Sequence, residues 1–315
     1  MQLSSPSDLS VAKFTSAVQK LAGANARVLL AVSGGPDSLA MLLLAYAAMP
    51  DRICAATVDH ELRPEAAEEA VFVAALCSQL SIPHSILRPH TPITGNLQSS
   101  ARAARYALLQ AHTDAVGCDW IATAHHADDQ LETVLMRIAR GSGVDGLSGV
   151  RALQGCIIRP MLTFTKTELE EICAETGIVP VRDPSNGDDS FDRVKMRQWL
   201  AENSHPFDPN RAVRTATAFA DAAEALEWMT DTLFQTHVTR EDDSFIVNAN
   251  DLPRELRRRL VLRILSQIQL DYVPRGDALD RALDTLADGG KQLLGDVQCD
   301  GGKIWRFRLA PKRRH

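Results

Sequence analysis

The sequence predicts an α/β protein built on a parallel sheet, and three observations predict it. Short aliphatic or β-branched runs alternate with helical patterns through the first half of the chain, the rhythm of repeated strand–helix–strand units. One run passes through two glycines directly into a helix. The longest apolar run, residues 39–49, is well short of the roughly 18–20 residues a membrane span needs, so the apolar segments belong to a folded core.

The expected strands are 27–32, 53–59, 84–87, 120–124 and 157–158, separated by helical patterns at 39–48, 65–79, 97–115 and 128–140. The last is the clearest: Leu131, Val134, Leu135 and Ile138 recur at helical spacing and Gly141 follows as a stop. Sheets of this kind bind ligands beyond the carboxyl ends of their strands. A further helix is expected at 166–175, then the turn-rich residues 183–188 and a basic patch of Arg193, Lys195 and Arg197. Pro and Asn interrupt any pattern at 201–210, which reads as a linker. Helices at 211–236 and 254–269 and a β-like tail at 304–309 complete the chain. The expected domains are therefore 1–205 and a smaller, mainly helical 206–315.

Length and composition agree with two globular domains: 315 residues, 45% hydrophobic and 23% charged. The N-terminus lacks the basic and apolar regions of a secretory signal, and the six cysteines form no Cys-x-x-Cys pair. Reduced, buried thiols in a cytoplasmic protein with no membrane segment are expected. The net charge of −6 falls on the first 205 residues. Beyond them, basic residues cluster at Arg254, Arg257, Arg258, Arg259 and Arg263, and again at Lys303, Arg306, Arg308 and 312–314. Such clusters contact phosphate, or are a solvated helix face and a tail.

The most informative stretch is Ser33-Gly34-Gly35-Pro36-Asp37-Ser38, set between a strand and a helix. Glycines let backbone N–H groups approach an anion, and proline suits the first helical position. The helix N-terminus adds free N–H groups and the positive end of its dipole. Ser33 and Ser38 offer hydroxyls to phosphate oxygens, and Asp37 can hold a bridging Mg²⁺. Neither Gly-x-x-x-x-Gly-Lys nor Gly-x-Gly-x-x-Gly is present, and a capped Gly-Gly turn before a core helix is the plainer reading. Further along, Asp129 and Glu132 lie three apart on a helix and are neighbours on its surface. They form either a solvated acidic face or a pair able to neutralise an ammonium group. His125 and His126 end a strand and open a helix; one serves as a base or phosphate contact, or caps the helix, and the sequence leaves these open. Arg102 and Arg105 share a helix face, with Arg105 the preferred phosphate partner.

The Ser-Gly-Gly-Pro-Asp-Ser loop resembles the pyrophosphate loop (PP-loop) of the ATP-pyrophosphatase superfamily, which implies a Rossmann-like parallel sheet and ATP cleavage between the α- and β-phosphates. Several later segments resemble the tRNA(Ile)-lysidine synthetase family: Val58-Asp59-His60-Glu61-Leu62-Arg63, Ala101-Arg102-Ala103-Ala104-Arg105-Tyr106, the run 124–133 continuing to Arg140-Gly141-Ser142-Gly143, Arg159-Pro160-Met161-Leu162 and Asp183-Pro184-Ser185-Asn186. Together they cover most of the first 200 residues. The family's glycine is Glu61 here, and its Phe-x-Arg-Asn-Arg-Ile-Arg pattern is Phe191-Asp192-Arg193-Val194-Lys195-Met196-Arg197.

The resemblance implies a ligase that adenylylates the wobble cytidine of tRNA(Ile) with a CAU anticodon and replaces AMP by free L-lysine. It implies ATP at Ser33, Gly34, Gly35, Pro36, Asp37, Ser38, Asp59 and His60, with Mg²⁺ at Asp37. Lysine falls to Asp129 and Glu132, catalysis to Asp37, His125 and Arg105, and tRNA to Arg140, Arg193, Lys195 and Arg197. The second domain is expected to bind tRNA, in a short member without a further C-terminal domain. The oligomeric state stays open, a homodimer being one option. A thiolating relative is disfavoured because sulfur chemistry there uses Cys-x-x-Cys pairs. A non-catalytic RNA-binding protein with a vestigial loop is the rival from another class.

Overall fold

The computed structural model describes residues 4–61, 64–89, 97–181, 192–274 and 276–311. They form two compact units, Met1–Ala220 and Asp221–His315. In the first unit the strands are β1 (Val28–Ala31), β2 (Ile53–Val58), β3 (His84–Leu87), β4 (Trp120–Ala122), β5 (Leu153–Gln154) and β6 (Ile157–Ile158), in the order β3-β2-β1-β4-β6-β5. All pairs are parallel except the edge hairpin of β5 with β6. The central strand β1 is buried at all four residues, which is why it reads as a continuous apolar run without alternation. Successive strands step one way from β1 to β3, and the chain then returns to the other side of β1 as β4. The crevice beyond the carboxyl ends of β1 and β4 is the topological switch point, where sheets of this type hold ligands.

The helices of this unit are α1 (Asp8–Ala22), α2 (Pro36–Ala48), α3 (Pro64–Gln79), α4 (Leu97–Val116), α5 (Ala127–Ala139), α6 (Val144–Leu147), α7 (Lys166–Thr176) and α8 (Asp192–Glu202). Every residue of α2 from Ser38 to Ala45 is buried, so the helix that follows the glycine loop is anchored along its length in the core with Phe14, Phe164 and Leu169. In α5, Leu131 and Val134 are buried but Ile138 is 58% exposed, so the apolar stripe is shorter than its sequence spacing suggests. A capping box starts α7: Thr165 Oγ1 accepts from the Glu168 N–H at 3.3 Å, and Glu168 Oε2 accepts from the Thr165 N–H at 2.6 Å. Glu168 also pairs with Lys13 of α1 at 2.6 Å, whose ammonium lies over the Phe164 ring.

Helix α9 (Pro209–His237) begins in the first unit and ends in the second. The sequence boundary near 205 lies between α8 and α9; the units divide further along, within α9. The second unit adds α10 (Arg254–Ile268), α11 (Gly276–Ala287) and the strands β7 (Val238–Glu241), β8 (Ser244–Val247), β9 (Lys291–Leu294), β10 (Val297–Asp300) and β11 (Trp305–Leu309). These strands form an antiparallel sheet in the order β7-β8-β11-β10-β9. Trp305, Phe307, Leu260, Ile264 and Leu283 fill the core on its inner face. The sequence anticipated α9, α10 and β11 but not the other four strands or α11. The arginines of α10 are largely committed: Arg254 to Asp280 and Asp284, Arg259 to Glu255 and Glu227, Arg263 to Glu227 and Asp231.

All six cysteines are free thiols. Burial pushes Cys54, Cys77 and Cys299 up to about 12 and Cys173 to about 11. Among the described residues no helix is long and apolar enough to cross a membrane.

The capping box of α7 sets a stability test. Thr165→Ala is expected to lower unfolding stability by about 1 kcal/mol, while Thr165→Ser retains most of it. Urea denaturation midpoints compare the two, and equal loss in both variants would exclude the hydroxyl cap as the cause.

Candidate active site

Beyond β1 the Val32 N–H still bonds the Ala56 carbonyl at 2.9 Å, which keeps the chain in the sheet up to the loop. Gly34 then turns with φ +88°, a left-handed conformation that side-chain-bearing residues avoid. Ser38 Oγ accepts from the Ser33 N–H at 3.1 Å and donates to the Gly35 carbonyl at 3.0 Å, closing the loop on itself. Gly35 is the N-cap of α2 and offers no side-chain cap, and Pro36 follows as its first residue. The first-turn N–H groups are therefore left for an anion rather than for a capping side chain. Asp37 sits at the same helix start, with a buried Oδ1 that has no hydrogen-bond partner.

The residues after β4 reach the same crevice from the other side. His126 is the N-cap of α5 and is 4% exposed. Its Nε2 lies 3.6 Å from Asp37 Oδ2 and 3.6 Å from Asp129 Oδ2, and its Nδ1 lies 3.5 Å from Asp128 Oδ2. Burial works against charge on this ring, but Asp128, Asp37 and Asp129 outweigh it and raise the imidazole to about 10. His125 behaves oppositely: burial, with Arg159, Arg193 and Arg102 adding to it, lowers its ring to about 4 against the pull of Asp129. Its Nδ1 is 2.9 Å from Thr123 Oγ1. The residues left His125 and His126 open and the resemblance assigned catalysis to His125; the ring that faces Asp37 is that of His126. The signal for it was its place immediately before a helix opening on Ala-Asp-Asp.

Glu132 is 3% exposed, which removes the solvated-face reading of the acidic pair. Residues 129 and 132 of α5 meet residues 193 and 197 of α8, one helical face against another. Arg193 Nε donates to Glu132 Oε2 and its Nη2 to Asp129 Oδ1, both at 2.9 Å. Arg197 Nε donates to Glu132 Oε1 at 2.7 Å and its Nη2 to Oε2 at 3.2 Å, and these bonds hold its guanidinium pKa above the ordinary value. Residues the sequence assigned to separate partners thus form one cluster. Among the described residues, Asp37, Asp128, Asp129 and Glu132 face the cations His126, Arg193 and Arg197. Lys195 is exposed on α8, and Arg140 is exposed at the C-cap of α5.

A cavity of about 930 Å³ has Ser33, Gly35 and Asp37 on its wall together with His126, Glu132 and Arg197. Lys166, Glu170 and His205 also line it; scattered in sequence and outside any motif, they gave no signal. A smaller cavity of about 180 Å³ is lined by Val32, Ser33, Thr57, Val58, His60 and Arg105. Burial and the Arg105 charge keep the His60 ring below its ordinary pKa. Asp59 holds the loop: its Oδ1 accepts from the Glu61 N–H at 2.9 Å and its Oδ2 from Arg88 Nε at 3.2 Å. Glu61 itself has φ +55°, the conformation that makes glycine natural at this position. Leu62, Arg63, Asp183–Asn186 and Phe191 lie outside the described residues.

A family model described as the PP-loop domain matches residues 7–204. A tRNA(Ile)-lysidine synthase of Zymomonas mobilis is 40% identical over 296 residues, 90% of this chain and 89% of its own length. One of Novosphingobium aromaticivorans is 40% identical over 91% of this chain and 90% of its own length. The chain belongs to the tRNA(Ile)-lysidine synthase family. The U34-tRNA thiolase NcsA of Methanococcus maripaludis, solved with its [4Fe-4S] cluster, matches with a TM-score of 0.56 at 19% identity, covering 68% of this chain and 80% of its own. That likeness is one of fold. The lysidine synthase relatives, by contrast, match through the second unit as well as the first.

Two measurements check this geometry. In an NMR titration of the ligand-free protein, His126 is expected to keep its proton to about pH 9 and His125 to stay neutral down to about pH 5; the reverse assignment would overturn the division of roles. Glu61→Gly is expected to raise unfolding stability by about 1 kcal/mol by releasing left-handed strain. An unchanged or lower urea midpoint would place no strain there.

Proposed function

We propose that this chain joins free L-lysine to C2 of the wobble cytidine of tRNA(Ile) with a CAU anticodon, using ATP and releasing AMP and pyrophosphate. The observation that supports it is that the anion-binding loop lines one cavity with Glu132 and Arg197, which Asp129 and Arg193 join through their ion pairs. The names of the relatives supply the substrate class.

In this reading the C2 oxygen of cytidine attacks the α-phosphorus of ATP, the bond to the β-phosphate breaks, and pyrophosphate leaves. The lysine ε-amine then attacks C2, and AMP departs with the former C2 oxygen. The loop N–H groups and the Ser33 and Ser38 hydroxyls hold the phosphates, and the adenosine end enters the cavity walled by His60 and Arg105. Asp59 acts through the loop it holds. Asp37, whose buried Oδ1 is unpartnered, would hold a Mg²⁺ ion, which would supply neutralisation of phosphate charge there. His126, whose charged form the surrounding aspartates favour, would add positive charge beside the same phosphates.

Asp129 and Glu132 with Arg193 and Arg197 complement the α-ammonium and α-carboxylate of an amino acid, which leaves the ε-amine free to react. Attack needs that amine neutral, so the ammonium gives up its proton before or during the step. Lys195 and Arg140, both exposed, would meet the tRNA backbone.

The test incubates the protein with labelled ATP and lysine, with either tRNA(Ile) bearing CAU or methionine tRNA, and weighs the digested nucleosides. A lysine-adducted cytidine in the isoleucine tRNA alone is expected. AMP without an adduct overturns the substrate, and no AMP overturns the ligase reading. Within the cluster, Asp129→Asn keeps an acceptor for the His126 N–H while removing the charge. It is expected to raise the lysine KM about tenfold or more, from the loss of a charge-assisted bond, with lysine-independent pyrophosphate release within about threefold. An unchanged lysine KM would sink the assignment.

A further inference from the structure

The segment that the sequence marks as a linker carries an aromatic cluster. Trp199, in the last turn of α8, lies nearly parallel to the His205 ring, with centroids 6.3 Å apart and planes at 16°. His205 in turn meets Phe207 at 5.7 Å. Trp199 is 48% and Phe207 41% exposed, so two large rings flank the His205 ring at the surface. Their positions are fixed by hydrogen bonds. The Asn203 N–H and Nδ2 both donate to the Trp199 carbonyl, at 3.1 and 2.8 Å. The Phe207 N–H donates to His205 Nδ1 at 3.3 Å, and Asp208 Oδ1 caps the next helix through the Arg211 N–H at 2.9 Å. The rings are therefore pre-set rather than loosely tethered.

Two neighbours say what such a surface takes. Lys195 is exposed four residues before Trp199 on α8, so the cation and the indole share one helix face. His205 lines the 930 Å³ cavity, as do Arg197, Leu200 and Ala201 of the same helix. Through His205, the aromatic cluster adjoins the space that holds the phosphate loop. Flat aromatic faces beside a lysine are the chemistry that holds unpaired nucleobases and their phosphates.

We propose that Trp199 and Phe207 form the platform on which an unpaired RNA base next to the reacting cytidine stacks, with Lys195 on the adjoining phosphate. This rests on the function proposed above and names the positioning residues it requires. Holding the neighbouring base fixes the splayed strand, so that the cytidine enters the cavity instead of restacking.

The experiment measures binding of a CAU anticodon stem-loop RNA to the full chain by fluorescence anisotropy, with lysine and ATP KM values alongside. Trp199→Ala is expected to weaken stem-loop binding about tenfold and to leave the ATP and lysine KM values within about twofold. Trp199→Phe retains affinity to within about threefold, but removes the quench of tryptophan fluorescence on RNA binding, a signal that a purely structural role would not move. Wild-type affinity in Trp199→Ala, while the wild-type chain forms lysidine, overturns the platform and leaves the ligase reading intact. Loss of stem-loop affinity in Trp199→Ala, in a protein that forms no lysidine, supports the platform and overturns the ligase reading. A raised lysine KM with unchanged RNA affinity overturns it in favour of an ammonium site, and no stem-loop binding by the wild-type chain overturns both.

Discussion

Buried charge has to be balanced, and the organisation of the first unit around α5 follows from that constraint. Taking Glu132 out of water would be prohibitive for an isolated carboxylate. Two arginines from α8, spaced one helical turn apart, make it tolerable by bonding both of its oxygens. The same pairing ties α8 to α5. His126 is held in like manner by three aspartates. Among the described residues, four carboxylates are in direct contact with three cations there.

The second determinant is backbone geometry at the switch point. The phosphate loop needs no charged side chain to attract an anion, since its work is done by a left-handed glycine, a proline at the helix start and a helix whose first turn no side chain caps. These features hold their shape because α2 is buried from Ser38 to Ala45. Asp59 shows the same economy on the neighbouring strand. Its carboxylate steadies a turn in which Glu61 takes a left-handed conformation.

Most of the parallel sheet was legible because its strands are apolar on both faces and its helices carry their own stops. The phosphate loop was legible because its chemistry is local: six consecutive residues contain the turn, the hydroxyls and the carboxylate. The second unit's sheet was not, since β7 to β10 are only four residues each and strands such as Val238–Glu241 are polar along most of their length; pairing, not pattern, defines them. The cluster at α5 was half legible. Spacing put Asp129 and Glu132 on one surface, and Arg193, Lys195 and Arg197 on another, but nothing along the chain shows that the two surfaces meet. Electrostatic surroundings were the least legible of all. His125 and His126 are adjacent and chemically identical, yet burial, with guanidinium groups adding to it, lowers the ring of His125 while three carboxylates outweigh burial and raise that of His126. Arg159 likewise reads as a motif residue, yet it is 3% exposed and bonds the Arg151 carbonyl and Gln154 of the edge hairpin.

The buried thiols have a consequence for how the molecule ages. Sulfur attacks alkylating and oxidising agents as thiolate, and Cys54, Cys77, Cys173 and Cys299 are held at about 11 to 12, where that species is vanishingly scarce at neutral pH. Unfolding returns each to about 8.5 and to solvent together. At these four sulfurs, spread over both units, the folded chain resists modification, and unfolding in the presence of an alkylating agent opens all of them to it.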